Sequence, residues 1–385
     1  MKGQNRSGKF IRQQSDYTAF IPNPLPPEPP VQIDNEMLYL LSAADRRLGR
    51  LDGITQILPN PDLFVAMYVK KEAVLSSQIE GTQASLLDIL EEDEKSNNYK
   101  EKSVEEVVNY VNAMNYGIKR LQELPLCLRL IREIHSVLLK DVRGGERNPG
   151  EFRKSQNWIG PAGCTLSTAT FVPPPVPEMQ EAMNNLELFL NNEDDSIPPL
   201  IKIGLIHAQF ETIHPFLDGN GRVGRLLITF WLCQQNILTK PLLYLSYYFK
   251  QNRLEYYDRL MEVRFKGDWE GWIKFFLKGI AEVSDEAINT AKRILALKEQ
   301  HTSLINQRIK NPSNGLKLLE TLFEYPLITI GKVAEMLEVS YPTANALVND
   351  FCNIGLLKSS SKTQRNKKFS YYEYVNMLQA GTELQ

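Results

Sequence analysis

The sequence predicts a mainly α-helical protein with one small β-hairpin and a separate C-terminal unit of three short helices and a turn-rich hairpin. Three observations predict it. Apolar residues recur at helical spacing through most of residues 35–300. Residues 165–172, Thr165-Leu166-Ser167-Thr168-Ala169-Thr170-Phe171-Val172, favour extended backbone and stop at Pro173-Pro174-Pro175. Beyond the loop-rich cluster Asn311-Pro312-Ser313-Asn314-Gly315, short helical patterns occupy 316–323, 330–337 and 341–354.

In chain order, the prolines between Phe20 and Pro30 exclude helix, and the interleaved Phe20, Ile21 and Leu25 predict an extended, polyproline-like strap docked on a domain surface. Helix follows from 35 to 92, broken at Pro59-Asn60-Pro61, and again over 104–121 and 126–139. The 165–172 run is expected to form the only strand pair of the central region, with exposed edge backbone. Helix returns at 177–191 and from 199 to about 300. A chain of 385 residues suggests two or three domains. The expected division is 1–100 for the strap and first helices, 101–300 for the core and 312–385 for the last unit.

A net charge of −2 excludes a global nucleic-acid-binding field, though not a local basic patch. Cys127, Cys164, Cys233 and Cys352 are widely spaced without histidine neighbours, which argues against a zinc site or a disulfide framework and for a reducing cytoplasm. The polar N-terminus does not read as a signal peptide, and no apolar run approaches the ~20 residues that span a membrane.

The chemistry is concentrated at 214–225, His214-Pro215-Phe216-Leu217-Asp218-Gly219-Asn220-Gly221-Arg222-Val223-Gly224-Arg225. Pro215 places His214 at a helix end. Gly219-Asn220-Gly221 allows a tight turn with bare amides, and helical spacing resumes at Val223 and Leu226. The turn therefore sits at a helix N-terminus, where free N–H groups and the dipole favour phosphate. Asp218 offers a hard oxygen for Mg²⁺. Arg222 and Arg225, three apart, can reach one polyphosphate. His214 can accept a hydroxyl proton near neutral pH. A base, a metal ligand, an anion cradle and two cations suit nucleotidyl or phosphoryl transfer.

This string resembles the signature of the Fic family, as do Lys71-Glu72-Ala73-Val74-Leu75-Ser76-Ser77-Gln78-Ile79-Glu80-Gly81-Thr82 and Pro149-Gly150-Glu151-Phe152-Arg153. The resemblance covers most of 10–290. It implies a Fic helical core that transfers AMP from ATP to a protein Ser, Thr or Tyr hydroxyl. His214 would be the base, and Asp218 would hold Mg²⁺. Gly219, Asn220, Gly221, Arg222, Val223, Gly224 and Arg225 would hold ATP. Phe216 is expected to be a buried anchor for the loop. The 165–172 hairpin resembles the family's flap, with Thr170, Phe171 and Val172 on the edge that pairs with the target. Tyr256 and Tyr257 resemble the pair on the adenine side of the pocket, although ordinary packing is an equal reading for one of them. Glu80 resembles the family's inhibitory glutamate, reaching Arg225 as a bidentate pair and excluding the γ-phosphate.

His207 reads as a packed core histidine, and neither His135 nor His301 has an evident partner. The C-terminal unit resembles a winged helix-turn-helix, with Thr343, Asn345 and Asn349 on a recognition helix and basic residues at Lys358, Lys362, Arg365, Lys367 and Lys368. A protein-interaction module is the other reading. The expected partners are ATP, a target protein that could be the chain itself, DNA through the last unit, and a second copy as a homodimer, with no membrane. The rival function is a DNA-binding regulator whose core senses nucleotide.

Overall fold

A computed structural model of the chain describes residues 5–14, 17–57, 61–92, 102–161, 163–192, 196–359 and 367–383. Among them no helix is long and apolar enough to cross a membrane, and the four cysteines are free thiols.

The helices Pro199–Ile213 and Asn220–Gln234 form the centre. Nearly every residue of both is buried, so neither shows the one-sided pattern of a surface helix. Around them pack Lys102–Arg120, Leu128–Leu138, Val176–Leu190, Arg253–Lys266 and the long helix Trp269–Arg308. Asn35–Ile57 lies along that long helix, and Lys274 holds its start through Asp34 and Glu36 at 2.6 Å each. Pro61 opens the helix Pro61–Ile79 as its first residue, a position where a missing N–H costs little. Pro59 and Asn60 of the expected break lie outside the described residues. From Lys71 to Ser77 this helix is buried on every face. It ends where Gly81, at φ +91°, takes the left-handed conformation that closes helices.

The N-terminal segment docks as expected, with Ala19 and Phe20 fully buried. Its first part is not a lone strap, however. Gly8–Arg12 pairs antiparallel with Thr18–Pro22, Phe10 opposite Phe20, and Phe10 stacks on Phe265 at 5.1 Å. This is the small β-hairpin of the fold, and it lies earlier in the chain than the sequence predicts. The 159–172 segment does double back, but only one bridge, Ile159 with Phe171, holds it. Two bonds suffice there because the Phe171 ring is buried under the Arg264 guanidinium, 4.2 Å from the ring centre, and Val172 O accepts from Phe20 N at 2.9 Å. Packing and the N-terminal strand replace a ladder.

After Asn311 come the helix Pro312–Glu324, strand Leu327–Thr329, helices Ile330–Leu337 and Tyr341–Asn353, strands Lys358–Ser359 and Lys368–Ser370, and helix Tyr372–Gln379. The strands make an antiparallel sheet with 368–370 in the middle. Lys362 and Arg365 of the basic stretch lie outside the described residues. The last helix packs back on Trp269–Arg308, on Pro61–Ile79 and on Leu86–Glu92.

Candidate active site

The site is built where the two central helices meet. His214 is the residue after Ile213 and adopts the left-handed conformation, φ 51°, while its N–H still donates to Phe210 O at 2.9 Å. That turn throws the loop across the start of the next helix. Phe216 is fully buried and stacks on His135 with ring centres 3.7 Å apart, the anchor that the sequence predicts. The Asn220 side chain closes the loop on itself. Its Oδ1 accepts from Phe216 N and its Nδ2 donates to Phe216 O, both at 2.8 Å. Asn220 can therefore offer an anion only its backbone.

Three residues that sequence reasoning missed fix the same loop from outside. Arg153 Nε and Asn157 Nδ2 donate to His214 O, each at 3.0 Å, and Asn157 also reaches Phe216 O at 2.9 Å. His135 Nδ1 accepts from Gly150 N at 2.8 Å, so its proton is on Nε2, which donates to Asp218 O at 3.0 Å. Burial lowers the His135 pKa to about 4, which keeps that neutral tautomer. Arg153 stands in a string quoted for its family likeness. His135 and Asn157 act on backbone carbonyls, which no side-chain motif announces.

Burial, then the Arg264 and Arg153 cations, lower the His214 pKa to about 3. The imidazole is thus neutral at pH 7, and its Nδ1 lacks a hydrogen-bond partner among the described residues. Glu211 Oε2 lies 4.0 Å from that nitrogen. The Asp218 carboxylate accepts from Gly219 N at 2.6 Å and lies 3.6 Å from Arg222. Its other oxygen faces Gly144, where a Cβ would come within 2.9 Å of it. A single, partly exposed carboxylate of this kind suits Mg²⁺, which takes one or two carboxylates and completes its shell with phosphate and water. Among the described residues no cluster of three or more His, Cys, Asp or Glu forms a metal site.

The two arginines part company. Arg222 is buried between Asp218 and Glu106, and its Nε and Nη1 make no hydrogen bond among the described residues. Arg225 Nε donates to Ser76 Oγ at 2.8 Å, and its Nη2 donates to Ser76 O at 2.9 Å and to Glu80 Oε1 at 2.7 Å. The Glu80 contact is thus single rather than the bidentate pair expected, and Ser76 takes Nε and shares Nη2. Glu80 lies directly over the glycine turn. A Cβ on Gly221 would stand 2.3 Å from Glu80 Oε1. Burial opposes charge on Glu80, but Arg225, Arg222 and His214 outweigh it and hold the carboxyl below its usual range. An anion already occupies the helix N-terminus, and it is the protein's own. Gly224 similarly makes room for Glu211, which a Cβ there would meet at 2.3 Å, and Val223 is core.

Tyr256 and Tyr257 divide as well. His207 Nδ1 donates to Gly224 O and its Nε2 accepts from the Tyr256 hydroxyl, each at 2.9 Å. Tyr256 is therefore spent on the core, and His207 is the packed histidine that the sequence predicts. Tyr257 keeps 38% of its surface exposed. In the flap region Phe171 and Val172 are buried, and Thr170 is exposed.

Residues 38–119 match the Fic/DOC family N-terminal model, and residues 125–232 match the Fic/DOC family model. The chain carries Fic/DOC family domains. The Fic/DOC match includes His214 through Arg225, and the N-terminal match includes Glu80. The chain is 31% identical to the proteins named Protein adenylyltransferase Fic of Drosophila grimshawi and Drosophila virilis over 183 residues. That stretch is 47% of this chain and 32% of theirs, so the chain spans about a third of the length of these curated relatives. The fold is shared with a Fic family protein from Desulfovibrio desulfuricans G20, with TM-score 0.58, 18% identity, and 89% of this chain and 97% of that one covered. It is also shared with a Fic domain containing signaling protein from Bacteroides thetaiotaomicron VPI-5482, with TM-score 0.50, 22% identity, and coverage of 65% and 97%.

Proposed function

We propose that this chain is a protein adenylyltransferase that moves AMP from ATP to a Ser, Thr or Tyr hydroxyl and is restrained by Glu80. The observation that carries the reading is the Glu80–Arg225 pair laid over Gly221 at the start of the helix Asn220–Gln234. A carboxylate stands where backbone amides, a helix dipole and a buried guanidinium would receive a phosphate. The target oxygen bonds to the α-phosphorus, the bond from that phosphorus to the bridging oxygen breaks, and pyrophosphate leaves. The hydroxyl proton passes to His214, neutral at pH 7 and so able to take it. Amides of the 219–221 turn face the charge that develops on the α-phosphate. Asp218 would hold Mg²⁺, which supplies charge neutralisation to the phosphates. Arg222 supports the phosphates, and Arg225 receives the γ-phosphate once Glu80 withdraws. Tyr257 fits the adenine wall better than Tyr256, which already has a partner.

We divide the chain into 1–100, the core 101–300 and a winged helix at 312–385. The last assignment rests on the helix order and the antiparallel sheet. Exposed Tyr341, Thr343 and Asn349 along one of its helices favour DNA as a second partner. Incubation with Mg²⁺ and ATP labelled at the α- or the γ-position tests the main reading. Label from the α-position alone should enter protein, with the mass of AMP added. Salt-sensitive duplex binding with no transfer would replace the enzyme by a regulator.

A further inference from the structure

The turn that presents Glu80 is gripped from the far end of the chain. Gln78 lies two residues before Glu80. Its Nε2 donates to Ala84 O at 3.0 Å, on the other side of the turn, and to Thr382 O at 2.9 Å. Thr382 is 2% exposed. The segment 381–383 is itself held in place. Gly381, at φ +82°, lies so close to Tyr247 that a Cβ would meet the ring at 2.1 Å. Glu383 O accepts from Lys250 Nζ at 2.6 Å. The Tyr247 ring also lies near Lys71 of the helix Pro61–Ile79. Lys71 Nζ is buried without a hydrogen bond among the described residues, 5.5 Å from the Tyr247 ring centre and 4.6 Å from that of Tyr244. The helix Tyr372–Gln379, just before this segment, packs on both helices that flank the turn, Pro61–Ile79 and Leu86–Glu92. The grip therefore meets the turn at its entry, at its exit and along its supporting helix.

We infer that residues 381–383 are a latch on the Glu80 turn, through which the C-terminal unit sets how firmly Glu80 is held against Arg225. The inference rests on the inhibitory reading of Glu80 and adds its control. Glu80 touches the rest of the site through one carboxylate oxygen, whereas Arg225 is retained by Ser76 whether Glu80 is present or not. Loosening 78–84 therefore moves the carboxylate and leaves the guanidinium in position for phosphate. A ligand that shifts the C-terminal unit would act on ATP binding through this path without touching the nucleotide site. The coupling free energy is the difference in tail packing between the held and released turn.

The test uses the full chain and α-labelled ATP. Gly381→Val places a side chain in the Tyr247 ring and should expel the segment. Gln78→Leu removes the shared donor, and Lys250→Met frees Glu383 with little change of volume. Each should raise AMP incorporation on the order of fivefold or more, the lower end of typical coupling between sites. In a Glu80→Gly background none should add a further rise. Circular dichroism melts check that the variants fold, and if Gly381→Val does not fold, the other two decide. If Glu80→Gly raises transfer while all folded latch variants match the wild type, the latch is wrong and the brake stands. If Glu80→Gly itself changes nothing, the brake reading fails. A rise that persists undiminished in the Glu80→Gly background would also overturn the latch, since the segment would then act elsewhere.

Discussion

The loop that carries His214 and the turn that carries Glu80 face each other across Arg225, and they are held in opposite ways. The loop is tied to the core by Arg153, Asn157 and His135 and closed on itself by Asn220. The turn is held by its own short backbone bonds, by one Glu80 contact, by the Gln78 amide and by the Thr82 hydroxyl, which donates to Glu106 at 2.7 Å. The lesson is that reactivity and restraint are separable here. The loop keeps its geometry without the turn, so it is prepared for chemistry before any nucleotide arrives. The turn can leave at the cost of the Glu80 contact, the two Gln78 amide bonds and the Thr82–Glu106 bond.

The strongest way to break this contrast is at the base. His214→Ala should lower AMP transfer by about 10²–10⁴-fold, the usual contribution of a positioned proton acceptor. Its thermal midpoint should hardly move, because the ring fills no core position and its Nδ1 bonds to nothing described. A variant that keeps its activity in single-turnover label transfer would dissociate the loop from the chemistry.

Next in size is the turn. On the proposed reading Glu80→Gly removes a charge-assisted bond of about 1.5–3 kcal/mol that would compete with the γ-phosphate, so transfer should rise about 10–100-fold. The same change in an Arg225→Ala background should give no rise, since the competition needs that guanidinium. A smaller effect sharpens the account of the loop. Asn220→Ala deletes two buried bonds and should cost about 1–3 kcal/mol of stability, read as a lower melting midpoint, with kcat falling more than KM rises. An unchanged midpoint would mean that Phe216 and His135 hold the loop unaided.

How much of this was legible follows from how local each feature is. The loop was readable because its base, carboxylate, glycines and arginines lie within one stretch of 214–225, and the central helices because apolar residues dominate both. The Glu80–Arg225 contact joins residues 145 positions apart, and only the family resemblance pointed to it. His135 and Asn157 stayed hidden because their bonds go to carbonyl groups, which every residue has. The strand error has the same root. Thr170, Phe171 and Val172 have strand-forming side chains, but a strand needs a partner, and the partner is Phe20, which the surrounding prolines disguised as part of a strap. Tyr256 and Tyr257 are adjacent and alike, and only the position of His207 shows which one the core claims.

Acid separates the two regions last and most gently. In the folded protein His135 titrates at about 4, His207 and His214 at about 3, all through burial first, against 6.5 for an ordinary histidine. Unfolding below pH 6.5 therefore takes up protons at these sites, and stability falls as pH falls. Glu72 and Glu211 oppose this. Burial raises both to about 7 from 4.5, so between those values the folded state holds the protons and unfolding releases them. From pH 6.5 to 4.5 the two carboxyls offset most of the loss from the three histidines, leaving a net uptake of about one proton and a gentle fall in stability. Below 4.5 Glu72 and Glu211 are protonated in both states, and the histidine loss is joined by that of carboxyls held low by cationic partners, Glu80 and Glu133 among them. Melts followed by circular dichroism should thus show a shallow decline of the midpoint from pH 6.5 to 4.5 and a steep decline below. Arg225 holds Glu80 below its usual range, so the restraint proposed for it should not relax as pH falls toward 4.5. A midpoint that drops steeply from pH 6.5 would mean that Glu72 and Glu211 are ionised in their buried sites, and a Glu72→Gln variant would then melt no differently from the wild type in its pH dependence.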